Sequence, residues 1–89
     1  SYYHYYEFPE PHHVSPHFGL TTERYKLVRF YKGQNEWELY DIQKDPQELH
    51  NLYADKAYLS TVEELKGKLK KLIDQYHDKE AAQIFAQAI

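Results

Sequence analysis

Residues 25–42 constrain the fold more than any other stretch. In YKLVRFY (residues 25–31) the side chains alternate: Tyr25, Leu27, Arg29 and Tyr31 point one way, and Lys26, Val28 and Phe30 the other. Lys32-Gly33-Gln34-Asn35 supplies a turn in which glycine can take positive φ. A second strand, WELYDI (residues 37–42), follows at once. Two such runs around a short glycine-bearing loop predict an antiparallel hairpin.

Upstream, YYHYYEF (residues 2–8) reads as a strand, and residues 18–22 as a short one. Three prolines between residues 9 and 16 make the connection a loop. Downstream, Asp45-Pro46-Gln47-Glu48 has the form of a helix start: Asp45 as cap, Pro46 in first position, Glu48 closing a capping box. That helix would last a turn or two, to Tyr53.

Residues 59–77 then predict a long amphipathic helix, capped by Ser60 or Thr61. Leu59, Val62, Leu65, Leu69, Leu72, Ile73 and Tyr76 fall within an arc of roughly 140°. Gly67 falls on the polar side. In residues 79–89, Ala81, Ile84, Phe85 and Ala88 keep helical spacing and predict a helical tail.

The expected fold is α+β and two-layered: a small four-stranded antiparallel sheet with one long amphipathic C-terminal helix packed on one face. The other sheet face would carry tyrosines and phenylalanines that nothing in this chain covers, as partner faces do. At 89 residues the chain holds one small domain, 1–89, with a thin core.

Composition excludes several function classes. Net charge is −3, so no global basic field for nucleic acid exists. The lysines from Lys66 to Lys71 make a basic ridge with acidic flanks, a solvated face. No apolar run approaches the ~20 residues of a membrane span. Zero cysteines exclude disulfides, cysteine-ligated zinc and cysteine nucleophiles. The chain opens inside strand-like sequence, without initiator Met or readable signal peptide, and so reads as a piece of a larger protein.

HFGLTTERYKLVRFY followed by WELYDIQKDPQELHNLY resembles the C-terminal subdomain of the sulfatases, the formylglycine-dependent sulfate ester hydrolases. The first family pattern is met by Gly19, Thr21, Arg24, Tyr25 and Lys26. The second is met by Glu38, Leu39, Tyr40, Asp41, Asp45, Pro46, Glu48, Asn51 and Leu52. The resemblance covers roughly residues 2–78 and is most like bacterial carbohydrate sulfatases, including N-acetylglucosamine-6-sulfatase-like members. The second motif has a structural reading of its own. Leu39 and Ile42 are core strand positions, Tyr40 lies on the opposite face, Asn51 bonds its own backbone and Leu52 tucks underneath.

The resemblance implies a non-catalytic subdomain of a periplasmic or secreted enzyme. Calcium and formylglycine would sit in a separate N-terminal catalytic domain. This chain, lacking the C-x-P-S-R-like nucleophile motif, would be inactive alone. Its partners would be that catalytic domain, docked on the open sheet face, and a sulfated sugar. The loop from Pro11 to His17 would form part of the pocket wall. The alternatives are a freestanding protein-interaction module and a carbohydrate-binding module using the aromatic face.

Candidate substrate-binding residues are His17, His13 and Arg24. A histidine on a proline-stiffened loop offers a hydrogen bond to a sugar hydroxyl or sulfate at little ordering cost. A guanidinium matches a sulfate bidentately. His13 and His17 also have i,i+4 metal-ligand spacing, but Pro16 forbids the helix that spacing needs. Trp37 and Tyr40 could stack on a sugar, although hairpin aromatics more often fill cores. Nothing fixes a separation for Glu7 and Glu10, so a glycosidase-like pair has no support.

Overall fold

The structure is a computed structural model, and it describes residues 1–6, 15–32 and 34–87. Four strands, β1 (Tyr2–Tyr5), β2 (His17–Thr21), β3 (Tyr25–Lys32) and β4 (Gln34–Asp41), form one antiparallel sheet in the order β1-β2-β3-β4. Each strand pairs with the next, with Leu20 opposite Leu27 and Leu27 opposite Leu39. The hairpin is longer than the sequence suggests, because β4 begins at Gln34 and pairs it with Lys32. Residues 7 and 8 of the expected first strand lie outside the described residues.

A 3-10 turn (Lys56–Tyr58) leads into α1 (Leu59–Gln75), and α2 (Lys79–Gln87) follows. Ser60 and Thr61 do not cap α1. Its first residue is Leu59, and Asp55 instead caps the 3-10 turn by accepting from the Ala57 N–H. Of the apolar arc, Val62, Leu65, Leu69 and Ile73 are buried. Leu59 and Tyr76, at the two ends of the helix, are exposed. α1 closes on a left-handed His77 (φ 55), with the Asp78 N–H reaching the Ile73 carbonyl and the His77 N–H the Asp74 carbonyl. That is the pairing of a Schellman cap, with histidine where glycine is usual.

Both helices lie on the same sheet face. Phe18, Leu20, Leu27, Trp37 and Leu39 pack with the four buried α1 residues and with Ala81 and Phe85 of α2 in one core. Phe85 meets Trp37 edge-on at 5.8 Å. This is the two-layer α+β architecture expected, with α2 as a second helical element. Alternation in β3 holds: Leu27 and Arg29 face the helices, and Val28 faces away.

Two further expectations fail. Residues 45–53 form turns, not a helix, and Glu48 sits at φ 57, which no helix tolerates. The Asp45 carboxylate still caps, taking the N–H groups of Leu49 and His50, but it closes a loop. Ile42 lies beyond β4 and is half-buried. A period of two puts Trp37, Leu39 and Asp41 on the helix face, and a residue three after Leu39 cannot join them.

Candidate functional site

Residues of the first family pattern bind residues of the second. Asp41 is 1% exposed, and its Oδ2 accepts from Arg24 Nε (3.2 Å) and Nη2 (3.1 Å). Its Oδ1 accepts the N–H groups of Gln43 and Lys44, turning the chain out of β4. Burial opposes the charge on Asp41, but the bonds from Lys44, Arg24 and Gln43 outweigh it and hold the carboxyl below its usual range. Lys26 donates to both oxygens of Glu48 at 3.1 Å. The left-handed backbone at Glu48 thus belongs to a loop that turns its carboxylate back to β3.

Asn51 has an edge-strand role. β4 is the last strand, so its outward backbone groups need partners. Asn51 Oδ1 accepts the Leu39 N–H, Asn51 Nδ2 donates to the Trp37 carbonyl, and the Leu52 N–H reaches the Leu39 carbonyl. Asn51 Oδ1 also accepts the Tyr53 N–H, the local turn the sequence predicts.

The open sheet face presents the other candidate surface. Strand alternation and register place Tyr3, Tyr5, His17, Gly19, Val28, Phe30, Lys26 and Tyr40 there. Among the described residues no helix packs on it. His17 is held between rings: Tyr5 stacks at 5.3 Å and 23°, Phe30 lies at 4.9 Å, and Tyr3 meets it edge-on at 5.6 Å. Its Nδ1 bonds the Ser15 carbonyl at 2.8 Å. A carbonyl only accepts, so Nδ1 carries the proton and Nε2 of the neutral ring is an acceptor.

Tyr3 lies across Gly19. A Cβ on Gly19 would come 3.0 Å from the Tyr3 hydroxyl and 2.4 Å from the Leu27 carbonyl. The Tyr3 hydroxyl is buried with no hydrogen-bond partner among the described residues. Burial, reinforced by the Glu48 charge, pushes it up to about 12. Tyr40 donates to Glu38 at 2.6 Å on the same face.

His17 and Arg24 are therefore not brought together. His17 pairs with Phe30 on the open face, whereas Arg24 precedes Tyr25 and turns to Asp41, opposite Tyr25 on the helix face. The two ends are about 17 Å apart along β3. His13, Glu7 and Glu10 lie outside the described residues. Trp37 is core, as its position in a hairpin suggests, with the Lys66 ammonium 4.7 Å over its ring. Among the described residues no group of three His, Asp or Glu side chains is gathered for a metal ion. No helix in the described residues is long and apolar enough to cross a membrane.

Sequence reasoning missed one cluster. Asp78 caps α2 through the Ala81 N–H, and its Oδ2 accepts from both Tyr2 Oη and His4 Nδ1 at 2.6 Å. His4 Nε2 bonds Tyr31 Oη at 2.7 Å. This ties β1 to the junction of the two helices. The available signal was Asp78 three residues before Ala81, a cap spacing ahead of an apolar helical stripe.

A small antiparallel sheet carrying two helices on one face and an aromatic strip on the other defines a small two-layer α+β domain. Residues 1–75 match the family described as "N-sulphoglucosamine sulphohydrolase, C-terminal", and the chain belongs to that family. It is 41% identical over 78 residues to the N-acetylglucosamine-6-O-sulfatase of Bacteroides thetaiotaomicron, covering 88% of this chain and 14% of that protein. It is 38% identical over 60 residues to human N-sulphoglucosamine sulphohydrolase, covering 67% of this chain and 12% of that one. Among solved structures, BT4656 in complex with its substrate D-glucosamine-2-N,6-O-disulfate matches with a TM-score of 0.83 and 40% identity, over 89% of this chain and 16% of that one. The chain thus spans about a seventh of the length of these sulfatases.

Proposed function

We propose that this chain acts as the C-terminal subdomain of a sulfatase that hydrolyses sulfate from a glucosamine-type sugar. One observation carries the reading: nearly the whole chain matches, in sequence and fold, a protein solved with a disulfated glucosamine as its substrate. In this reading the subdomain completes the fold and lends a wall to the sugar pocket. The open face, with its strip of large aromatic side chains, docks on the catalytic domain. His17, at the return of the β1–β2 loop, is the sugar contact. Arg24 spends its guanidinium on Asp41, which favours a structural role for it.

Calcium and formylglycine would belong to the catalytic domain. Of the described acidic side chains, Asp41, Asp45, Glu48 and Asp78 each serve a protein donor. What this chain supplies is orientation: a rigid sheet edge, and a histidine whose ring is fixed by its neighbours. The extracytoplasmic location expected for such enzymes goes with the proposal.

The test is an assay of the intact longer protein against 6-O-sulfated and N-sulfated glucosamine, with this chain alone in parallel. Sulfate release by the intact protein and none by the chain, at any calcium concentration, is expected. An intact protein inactive on both sugars overturns the reading, and turnover by the chain alone overturns its accessory role.

A further inference from the structure

Resting on the proposal that His17 lines the sugar pocket, we infer that His17 reads a ring hydroxyl of the sugar and not its sulfate. The orientation of the ring decides which groups it can bind. Nδ1 donates to the Ser15 carbonyl, two residues back along the chain, at 2.8 Å. The nitrogen left over, Nε2, has no hydrogen-bond partner among the described residues and is an acceptor in the neutral ring. A sulfate ester or sulfamate offers its oxygens only as acceptors, so two acceptors would face each other. A hydroxyl offers the donor that Nε2 lacks.

The surroundings hold this assignment in place. Tyr5 stacks on one side of the ring, Phe30 lies on the other at 4.9 Å, and Tyr3 blocks an edge at 5.6 Å. Rotating the imidazole to exchange its nitrogens would break the Ser15 bond inside this aromatic clamp. Lys26, a cation on the same face, is held by both oxygens of Glu48, and alternation along β3 places Lys32 on that face as well. In the neutral ring the clamp thus presents a lone pair, and the chemistry that matches a fixed lone pair is O–H. Selectivity of this kind is steep, because a polar group left unpaired in a closed pocket costs more than a missing apolar contact.

The experiment uses the intact enzyme with 6-O-sulfated glucosamine and analogues that lack one ring hydroxyl at a time. Two variants are compared. His17→Phe keeps the stacking with Tyr5 and Phe30 but has no acceptor, and His17→Gln restores one at similar reach. With His17→Phe, kcat/KM on the parent sugar should fall about ten- to a hundredfold. His17→Gln should recover part of that loss. On one deoxy analogue the wild type and His17→Phe should be equal, since the hydroxyl that His17 reads is gone. A His17→Phe loss that is the same on every analogue, with no rescue by Gln, means that the sulfate or nothing specific is read, and it overturns the inference while leaving the pocket assignment intact. Unchanged kinetics for a folded His17→Phe on all sugars remove His17 from the pocket and overturn both.

Discussion

Gly19 and Asp41 each show a single residue setting local geometry. At Gly19 the constraint is space: β2 passes so close to β3 that a Cβ would lie 2.4 Å from the Leu27 carbonyl, with the Tyr3 hydroxyl 3.0 Å above. A backbone oxygen cannot swing aside as a side-chain tip can. Gly19→Ala should therefore lower stability by about 1–3 kcal/mol, the range for overpacking, read as a drop in melting temperature. An unchanged melting temperature would mean that β2 and β3 separate at little cost. Gly67 is the control, since a Cβ there meets nothing within 4 Å and Gly67→Ala should stabilise α1.

Asp41 makes the same point through charge. Its hydrogen bonds hold its folded pKa below the unfolded value of 3.8. A depressed carboxylate contributes stability that is present above the unfolded pKa and lost as pH falls through the folded one. Acid titration should thus show a loss of stability beginning below about pH 5. Asp41→Asn should be less stable at neutral pH and should flatten that acid limb. A variant with the wild-type pH dependence would assign the acid limb to other carboxylates, Asp45 and Asp78 first, since both are also held low. The Asp41–Arg24 pair was only half legible in the sequence. Arg24 and Asp41 both appear in the motifs, but their contact depends on the hairpin register, which brings Tyr25 opposite Asp41.

At the level of elements, periodicity was enough for the strands and for α1, because one buried face imposes a period on the sequence. It failed at Asp45, where the same residues that start a helix also close a loop. Local chemistry satisfies either outcome, and the choice is made by Lys26 drawing Glu48 to β3 and by Asn51 and Leu52 covering the β4 edge. These are tertiary contacts between positions 12 or more apart, which a local pattern cannot carry. The junction of α1 and α2 is similar. Asp78 serves the α2 N-terminus, the Tyr2 hydroxyl and the His4 ring at once. Asp78→Ala should cost about 2–3 kcal/mol, a cap plus the buried donors left behind. Asp78→Asn keeps the cap acceptor and should lose less. Hydrogen exchange would localise the effect: β1 amides and the first turn of α2 should lose protection together. If α2 alone loosens, the link to β1 contributes nothing measurable.

For the molecule as a whole, the question is why an 89-residue chain keeps one sheet face uncovered by its own helices. The core is one-sided: both helices bury the face of Leu27 and Leu39, and among the described residues no helix packs on the opposite face. Such a face was legible in the sequence as strand alternation that put tyrosines and phenylalanines opposite the side covered by α1. Its occupant was not, because under the proposed function the residues that would cover it lie outside this chain. If the catalytic domain sits there, the cost of a charge on that face must depend on whether the domain is present. Phe30 is half-buried in this chain and touches His17. In the chain alone, Phe30→Asp should cost about 1 kcal/mol or less, since the carboxylate keeps water. In the intact protein the same substitution would bury a charge without a partner and should cost several kcal/mol. The two melting experiments together decide the matter: equal penalties in the chain and in the intact protein would mean that the aromatic face stays in solvent in both, and the docking proposal would fall.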